Sequence, residues 1–158
     1  PNGAPLCGEC PLRTLCAAHA NGTEASLPHK APPPEKKFAR YTVVVVLDGA
    51  GHVLLCQRPP NGLLAGLWQP VLLEGALSGE QVLSARRALG ITGNNFQPLP
   101  DAKHIFTHLV WRMSGFAVRT EPAPAPPGFL WAARDELNAR YTLPNAYKVY
   151  RDAMKKLL

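Results

Sequence analysis

Apolar residues are unevenly spaced along the chain, and the pattern changes character near Phe38. Ahead of it, residues 20–37 carry Pro28, Pro32, Pro33 and Pro34 among Ala, Ser, Thr and Lys, a composition that predicts an extended, partly polyproline-like linker. Beyond it the sequence becomes globular. Tyr41 to Leu47 is continuous and β-branched with no polar alternation, which predicts a strand buried on both faces in the middle of a sheet. Asp48 to Gly51 reads as a turn and His52 to Gln57 as the returning strand of a hairpin. Pro59-Pro60-Asn61-Gly62 breaks the chain before Leu63 to Leu73, an apolar stretch with Trp68 and internal glycines. Ser78 is placed to N-cap a helix reaching about Leu89, with Glu80 in its first turn, Gly90 as its stop, and Leu77, Val82, Leu83, Ala85 and Leu89 on one apolar face. Pro98 and Pro100 precede a long run from His104 to Arg119, where Phe106, Trp111, Phe116 and Val118 favour strand. Glu121 to Gly128 holds four prolines and reads as loop. Phe129 to Ala132 predicts a short strand and Arg134 to Arg140 a short helix. Pro144 opens a last helix whose packed face is Ala146, Val149, Tyr150, Ala153, Met154 and Leu157. The expected class is α+β, an α/β/α sandwich on a mixed sheet, preceded by a cysteine loop and a Pro-rich linker.

At 158 residues and 17.1 kDa the chain suits one domain with a small appendage. A formal charge of +6 and a pI near 9.4 favour an anionic partner without naming it. A hydrophobic fraction of 46% with 18% charged residues argues against wholesale disorder. The longest uninterrupted apolar run, Val43 to Leu47, is far too short to cross a bilayer, so no membrane role is expected. No basic leader with an apolar core follows residue 1, which is Pro rather than Met, so the chain reads as a processed product or a piece of something longer.

Cys7, Cys10 and Cys16 fall in the spacing C-x2-C-x5-C. Thiolates this close repel one another unless a cation takes up their charge, so the spacing reads as metal ligation rather than disulfide bonding. His19 could complete a Cys3His zinc site, whereas an iron-sulfur cluster would want a fourth thiolate. Cys56 lies forty residues beyond Cys16 in an expected strand and reads as a small buried hydrophobe.

The order strand, turn, strand, Gln57-Arg58-Pro59, Gly66-Leu67-Trp68, short helix resembles a Nudix (MutT-like) domain. That family carries G-x5-E-x7-R-E-U-x-E-E-x-G-U, whose glutamates hold divalent metals against a diphosphate. Registered on Gly90-Ile91, the metal-binding glutamates fall on Arg87 and Ala88, and the Arg-Glu pair on Leu83 and Ser84. Only Glu74 and Glu80 are acidic between Glu74 and Ile91. The resemblance therefore implies the fold without a magnesium site.

A Nudix-like domain lacking its acids, behind a proline-rich linker and C-x2-C-x5-C, is similar to the C-terminal part of MutY-type adenine DNA glycosylases. There a 4Fe-4S cluster is held by C-x6-C-x2-C-x5-C. Cys7, Cys10 and Cys16 match the last three ligands, and the first would fall at position zero, immediately upstream of Pro1. Gly62 to Trp68, GLLAGLW, resembles the family's G-L-L-x-G-L-W, and His104 to Trp111, HIFTHLVW, resembles its H-x-F-S-H-x-x-W loop. Leu143-Pro144 and the helix after it match the usual ending.

The resemblance implies residues 1–19 as the end of a cluster loop, 20–37 as linker, and 38–158 as a domain that recognises 8-oxoguanine opposite adenine. Excision of the adenine would belong to an N-terminal catalytic domain of the same polypeptide, so no catalytic residue is expected here. Oxidation turns the guanine N7 acceptor into a donor and adds a C8 carbonyl, and a hydroxyl can both donate and accept. Thr107 stands where the family usually carries Ser, flanked by Phe106 and His108, and these three are the expected lesion-recognition residues. Thr keeps the hydroxyl but restricts χ1. Trp68 and Trp111 read as packing residues. Arg13, Lys36, Lys37, Arg40, Arg58 and Arg87 are candidates for the DNA backbone, with Lys30, Arg86 and Lys103 behind them. The expected partners are duplex DNA with an 8-oxoguanine:adenine mispair and the catalytic domain; the expected state is a monomer, in the cytoplasm and on the nucleoid if bacterial. With three of four ligands present, the 4Fe-4S cluster is expected to be absent or labile in this chain. Two other readings are a stand-alone Nudix phosphohydrolase with an atypical metal site, and a zinc-stabilised interaction module using Cys7, Cys10, Cys16 and His19.

Overall fold

A computed structural model describes residues 4–29, 35–91, 95–137 and 139–158. It divides the chain into two compact units, Pro1–Glu35 and Lys36–Leu158.

The first unit is built from short turns. Cys7–Glu9, Arg13–Leu15 and Glu24–Ser26 are single 3-10 turns, and Ala17–Ala20 is a one-turn helix, α1. None of these elements buries a residue fully, and Leu6, Leu12 and Leu15 stand exposed. Of the expected linker, Lys30 and 31–34 lie outside the described residues.

The second unit is a seven-stranded mixed sheet with a helix packed on each face. Its strands are β1 (Lys37–Asp48), β2 (His52–Gln57), β3 (Trp68–Gln69), β4 (Val71–Glu74), β5 (Asn95–Ile105), β6 (Leu109–Thr120) and β7 (Phe129–Ala133). β1 starts at Lys37, the last residue of the expected linker. The order is β3-β2-β1-β6-β5, with β4 also pairing β1 and β7 pairing β2. β1 and β6 run parallel along twelve residues, Lys37↔Leu109 to Asp48↔Thr120, and the other pairs are antiparallel.

Burial of β1 on both faces follows the continuous apolar run. Val43, Val45 and Leu47 face one side with Trp111, Met113, Tyr147, Tyr150 and Met154; Val44 and Val46 face the other with Val71, Val82, Ile91 and Val118. Removing these five β1 side chains from water contributes on the order of 10 kcal/mol. α2 (Gly79–Ala88) covers the second face and α3 (Lys148–Leu157) the first. Ser78 caps α2 as expected, and Gln81 completes a capping box by accepting from the Ser78 N–H. Gly115 on β6 leaves room for the Tyr150 ring, whose hydroxyl donates to the Met113 carbonyl at 3.1 Å.

Four expectations are corrected. The run from His104 to Arg119 is not one strand: it breaks at residues 106–108 between β5 and β6, so Phe106 sits in a turn. β5 itself begins at Asn95 and passes through Pro98 and Pro100, which an edge strand tolerates because one side needs no N–H donors; a bulge falls between Leu99 and Ala102. Arg134 to Arg140 is no helix among its described residues. The Glu136 carbonyl takes both the Arg140 and Tyr141 N–H groups, closing one turn that does not propagate, before the Leu137↔Tyr141 bridge. At the C-terminus Pro144 precedes a 3-10 turn, Asn145–Tyr147, and α3 starts only at Lys148; Val149 is 38% exposed, outside the packed face of Tyr150 and Met154.

The β1–β2 turn is fixed by a buried carboxylate. Asp48, 5% exposed, accepts from the Ala50 N–H at 3.0 Å and the His52 N–H at 2.7 Å, and its other oxygen meets His52 Nδ1 at 2.9 Å. Burial pushes this carboxyl up, but the His52 and Ala50 bonds together hold it below its ordinary value. A group held below its unfolded-state value stabilises the fold above that value and loses the contribution as pH falls through the native one. Urea melts of the chain are expected to lose stability on acidification below about pH 4. Asp48→Asn is expected to flatten that loss and to cost about 1–3 kcal/mol at neutral pH. Parallel acid profiles for the two proteins would contradict the assignment.

Candidate functional site

Residues Phe106, Thr107 and His108 form the tight connection between β5 and β6. The Phe106 N–H donates to the Leu109 carbonyl at 2.8 Å, and the Lys37 N–H on β1 donates to the His108 carbonyl at 3.0 Å. The Phe106 ring is half-buried, edge-on to Trp111 at 5.1 Å and to His104 at 4.5 Å between centroids. Trp111 is 1% exposed and packs against Tyr41 and Tyr147 as well. The turn is thus tied to β6 and β1 through its backbone and to the core through one ring. Thr107 and His108 stay exposed at its tip.

The expected backbone contacts do not converge equally on this turn. Lys36 and Lys37 are exposed at the head of β1, next to His108, and Arg40 is exposed three residues further along that strand. Arg58 is occupied within the protein: Nε donates to the Leu63 carbonyl at 2.9 Å, Nη1 to Gln69 Oε1 at 2.6 Å, and its guanidinium lies 5.5 Å from the Trp111 ring centroid. Arg87 is exposed in the last turn of α2, where a cation offsets the negative end of the helix. Its neighbour Arg86 is buried beneath the helix. Arg13 belongs to the first unit and donates from Nε to His19 Nε2 at 3.1 Å.

The GLLAGLW segment is a scaffold for β2 and β3. Gly62, Leu64 and Gly66 take the left-handed backbone region, and the Arg58 N–H reaches the Leu67 carbonyl while the Gly66 N–H reaches that of Pro59. Gln69 Oε1 accepts from both Arg58 and the Tyr147 hydroxyl, the latter at 2.8 Å. Burial raises the Tyr147 phenol, which keeps it a donor. Trp68 is half-buried edge-on to Tyr141. Cys56 is half-buried with its thiol pushed up by burial. These residues pack rather than present chemistry.

In the first unit all three cysteines are free thiols, Cys7 and Cys16 half-buried and Cys10 exposed. Cys7 Sγ, a ring nitrogen of His19 and a carboxylate oxygen of Glu24 lie within 4.8 Å of one another. Burial, then the charges of Glu24, Cys16 and Cys10, push the Cys7 thiol up, the repulsion that a bound cation removes. Glu24 went unnoticed in the sequence because it lies beyond the cysteine motif. Arg112 also went unnoticed; it is exposed on β6 beside Arg40 and Lys103.

Residues 42–153 match the NUDIX domain family. The chain is 30% identical to mouse adenine DNA glycosylase over 95% of its own length and 34% of that protein. It is 26% identical to the human adenine DNA glycosylase over 93% of its length and 37% of that protein. It spans about a third of the length of these curated relatives. Among solved structures it is similar to the C-terminal domain of mouse MUTYH, captured in complex with human PCNA, at 28% identity and a TM-score of 0.55, covering 75% of this chain and 87% of that one. A MutT structure from work on Aliivibrio salmonicida and Vibrio cholerae shares the fold at 19% identity and a TM-score of 0.55, over 77% of this chain and all of that one.

Proposed function

The chain belongs to the NUDIX domain family, and on that premise we propose that it is the lesion-reading part of an adenine DNA glycosylase. In this reading it recognises 8-oxoguanine opposite adenine so that a catalytic domain of the same polypeptide removes the adenine. The family membership, the glycosylase relatives and the likeness to the MUTYH C-terminal domain support a place in base excision repair. One observation carries the finer reading: the Phe106–His108 turn is braced at its base and leaves a hydroxyl at its tip. Such a hydroxyl can donate to the added C8 carbonyl or accept from the new N7–H, a pair of roles that a methyl group in its place does not offer. Normal guanine presents an N7 acceptor, so Thr107 discriminates by a margin rather than absolutely. Base excision is assigned to the catalytic domain, and α2 carries Arg87 and Ala88 where a hydrolase of this family holds its metal.

We place Cys7, Cys10 and Cys16 as three ligands of a 4Fe-4S cluster in the parent protein, with Arg13 held beside the loop by His19. Such a cluster supplies a structural tie between segments. The convergence of Cys7, His19 and Glu24 favours a second reading, a single divalent ion with a mixed sulfur, nitrogen and oxygen donor set. Metal analysis and the visible spectrum of the purified full-length parent, where the cluster reading supplies a fourth thiolate, separate them. Iron with brown charge-transfer absorption supports the cluster; one colourless equivalent of zinc, lost in Glu24→Ala and His19→Ala, supports the ion and removes the cluster assignment.

In the full-length parent, Thr107→Val is expected to reduce the preference for 8-oxoguanine over guanine opposite adenine by roughly 1–3 kcal/mol while adenine release persists. Thr107→Ser is expected to keep the preference. Single-turnover kinetics on the two mispairs provide the measure, and an undiminished preference in the valine variant removes Thr107 from the reading.

A further inference from the structure

β1, β6 and β5 are neighbours in the sheet, and their registers align Arg40 with Arg112 and Arg112 with Lys103. Residues paired this way point to one face of the sheet, so three cations stand in a row across three strands, a span of about 10 Å. Like charges set directly opposite one another cost stability, and among the described residues none of the three side chains makes an ion pair. They line a surface basin of about 440 Å³ together with Tyr41 and Asp101, whose single carboxylate leaves the lining net positive. The row toward the Phe106–His108 turn is Phe38, Val110 and Ile105. Phe38 and Ile105 are 64% and 54% exposed, and the Arg112 guanidinium lies 5.0 Å from the Phe38 ring centroid, a cation–π contact.

We infer that the Arg40–Arg112–Lys103 row is a cradle for the phosphate backbone of the DNA strand whose base meets the Phe106–His108 turn. This rests on the lesion-reading function and adds to it the surface that supplies most of the affinity. Charge complementarity favours an anionic chain, and the β5–β6 hairpin joins the row directly to the turn. Lys103 lies on β5 two residues before the strand ends at Ile105, so the row stands within a few residues of the turn. The row reads no sequence; it fixes register for the turn that does.

The test is a fluorescence-anisotropy titration of the 158-residue chain with an 8-oxoguanine:adenine duplex and an undamaged duplex across salt concentrations. Each phosphate contact adds about 0.9 to the slope of log K against log salt. Arg40→Ala/Lys103→Ala/Arg112→Ala is expected to flatten the slope by about 2–3 and to weaken both duplexes by the same factor. Arg112→Lys alone is expected to keep the slope, since the charge remains. Lys155→Ala/Lys156→Ala removes two exposed charges from α3 and is expected to leave the slope unchanged. An unchanged slope in the triple variant, an equal fall in the α3 variant, or no DNA binding by the parent sequence at low salt overturns the cradle; the first outcome leaves the basin to another anion, such as an acidic protein segment. Failure of the lesion-reading function would register instead as an undiminished preference in Thr107→Val with the cradle's slope change intact.

Discussion

The contact of Phe106 with Trp111 is the interaction on which the order of the β5–β6 turn, and with it the proposed recognition of the lesion, depends. A three-residue connection without glycine or proline has no intrinsic reason to hold one shape. Here one ring is seated edge-on against a tryptophan that the core immobilises from two other sides by Tyr41 and Tyr147, and backbone hydrogen bonds to Leu109 and from Lys37 close the remaining freedom. An exposed side chain at the tip of such a turn loses little conformational entropy when a ligand arrives, because its backbone is already ordered. Side-chain rotation is further limited by the β-branch of Thr107.

The same sheet explains why the face under α2 no longer suits phosphate chemistry. α2 keeps its cap and its apolar contact through Val82, while Arg86 is buried and Arg87 exposed at its C-terminal turn. Cations there complement the helix dipole and oppose a divalent metal. Positive charge is instead displayed in the open, on β1, β5 and β6, beside the turn. The proposed DNA contact draws on this charge at the end of the sheet where β5 meets β6.

What was legible in the sequence follows from short-range chemistry. The unbroken valine run declared a doubly buried strand, and Ser78 and Gly90 marked both ends of α2. The motif HIFTHLVW located the turn residues through resemblance, although periodicity alone read straight through them as strand. β5 escaped because Pro98 and Pro100 signal a break in any strand except one at a sheet edge, and edge position is a property of the whole fold. Arg112 escaped for a related reason: its place beside Arg40 and Lys103 comes from a parallel pairing on one side and an antiparallel one on the other, neither visible before the turn is placed. Glu24 joins Cys7 and His19 only after the first unit folds back on itself.

The most direct measurement is residue-resolved NMR of the chain titrated with matched duplexes differing only in guanine oxidation opposite adenine. The difference between the two titrations is expected to be confined to the Phe106–Leu109 amides and the Thr107 methyl, with the rest of the DNA-induced shifts common to both. A difference centred on the Gly62–Trp68 segment or on α2, with the turn responding identically to both duplexes, would contradict that expectation.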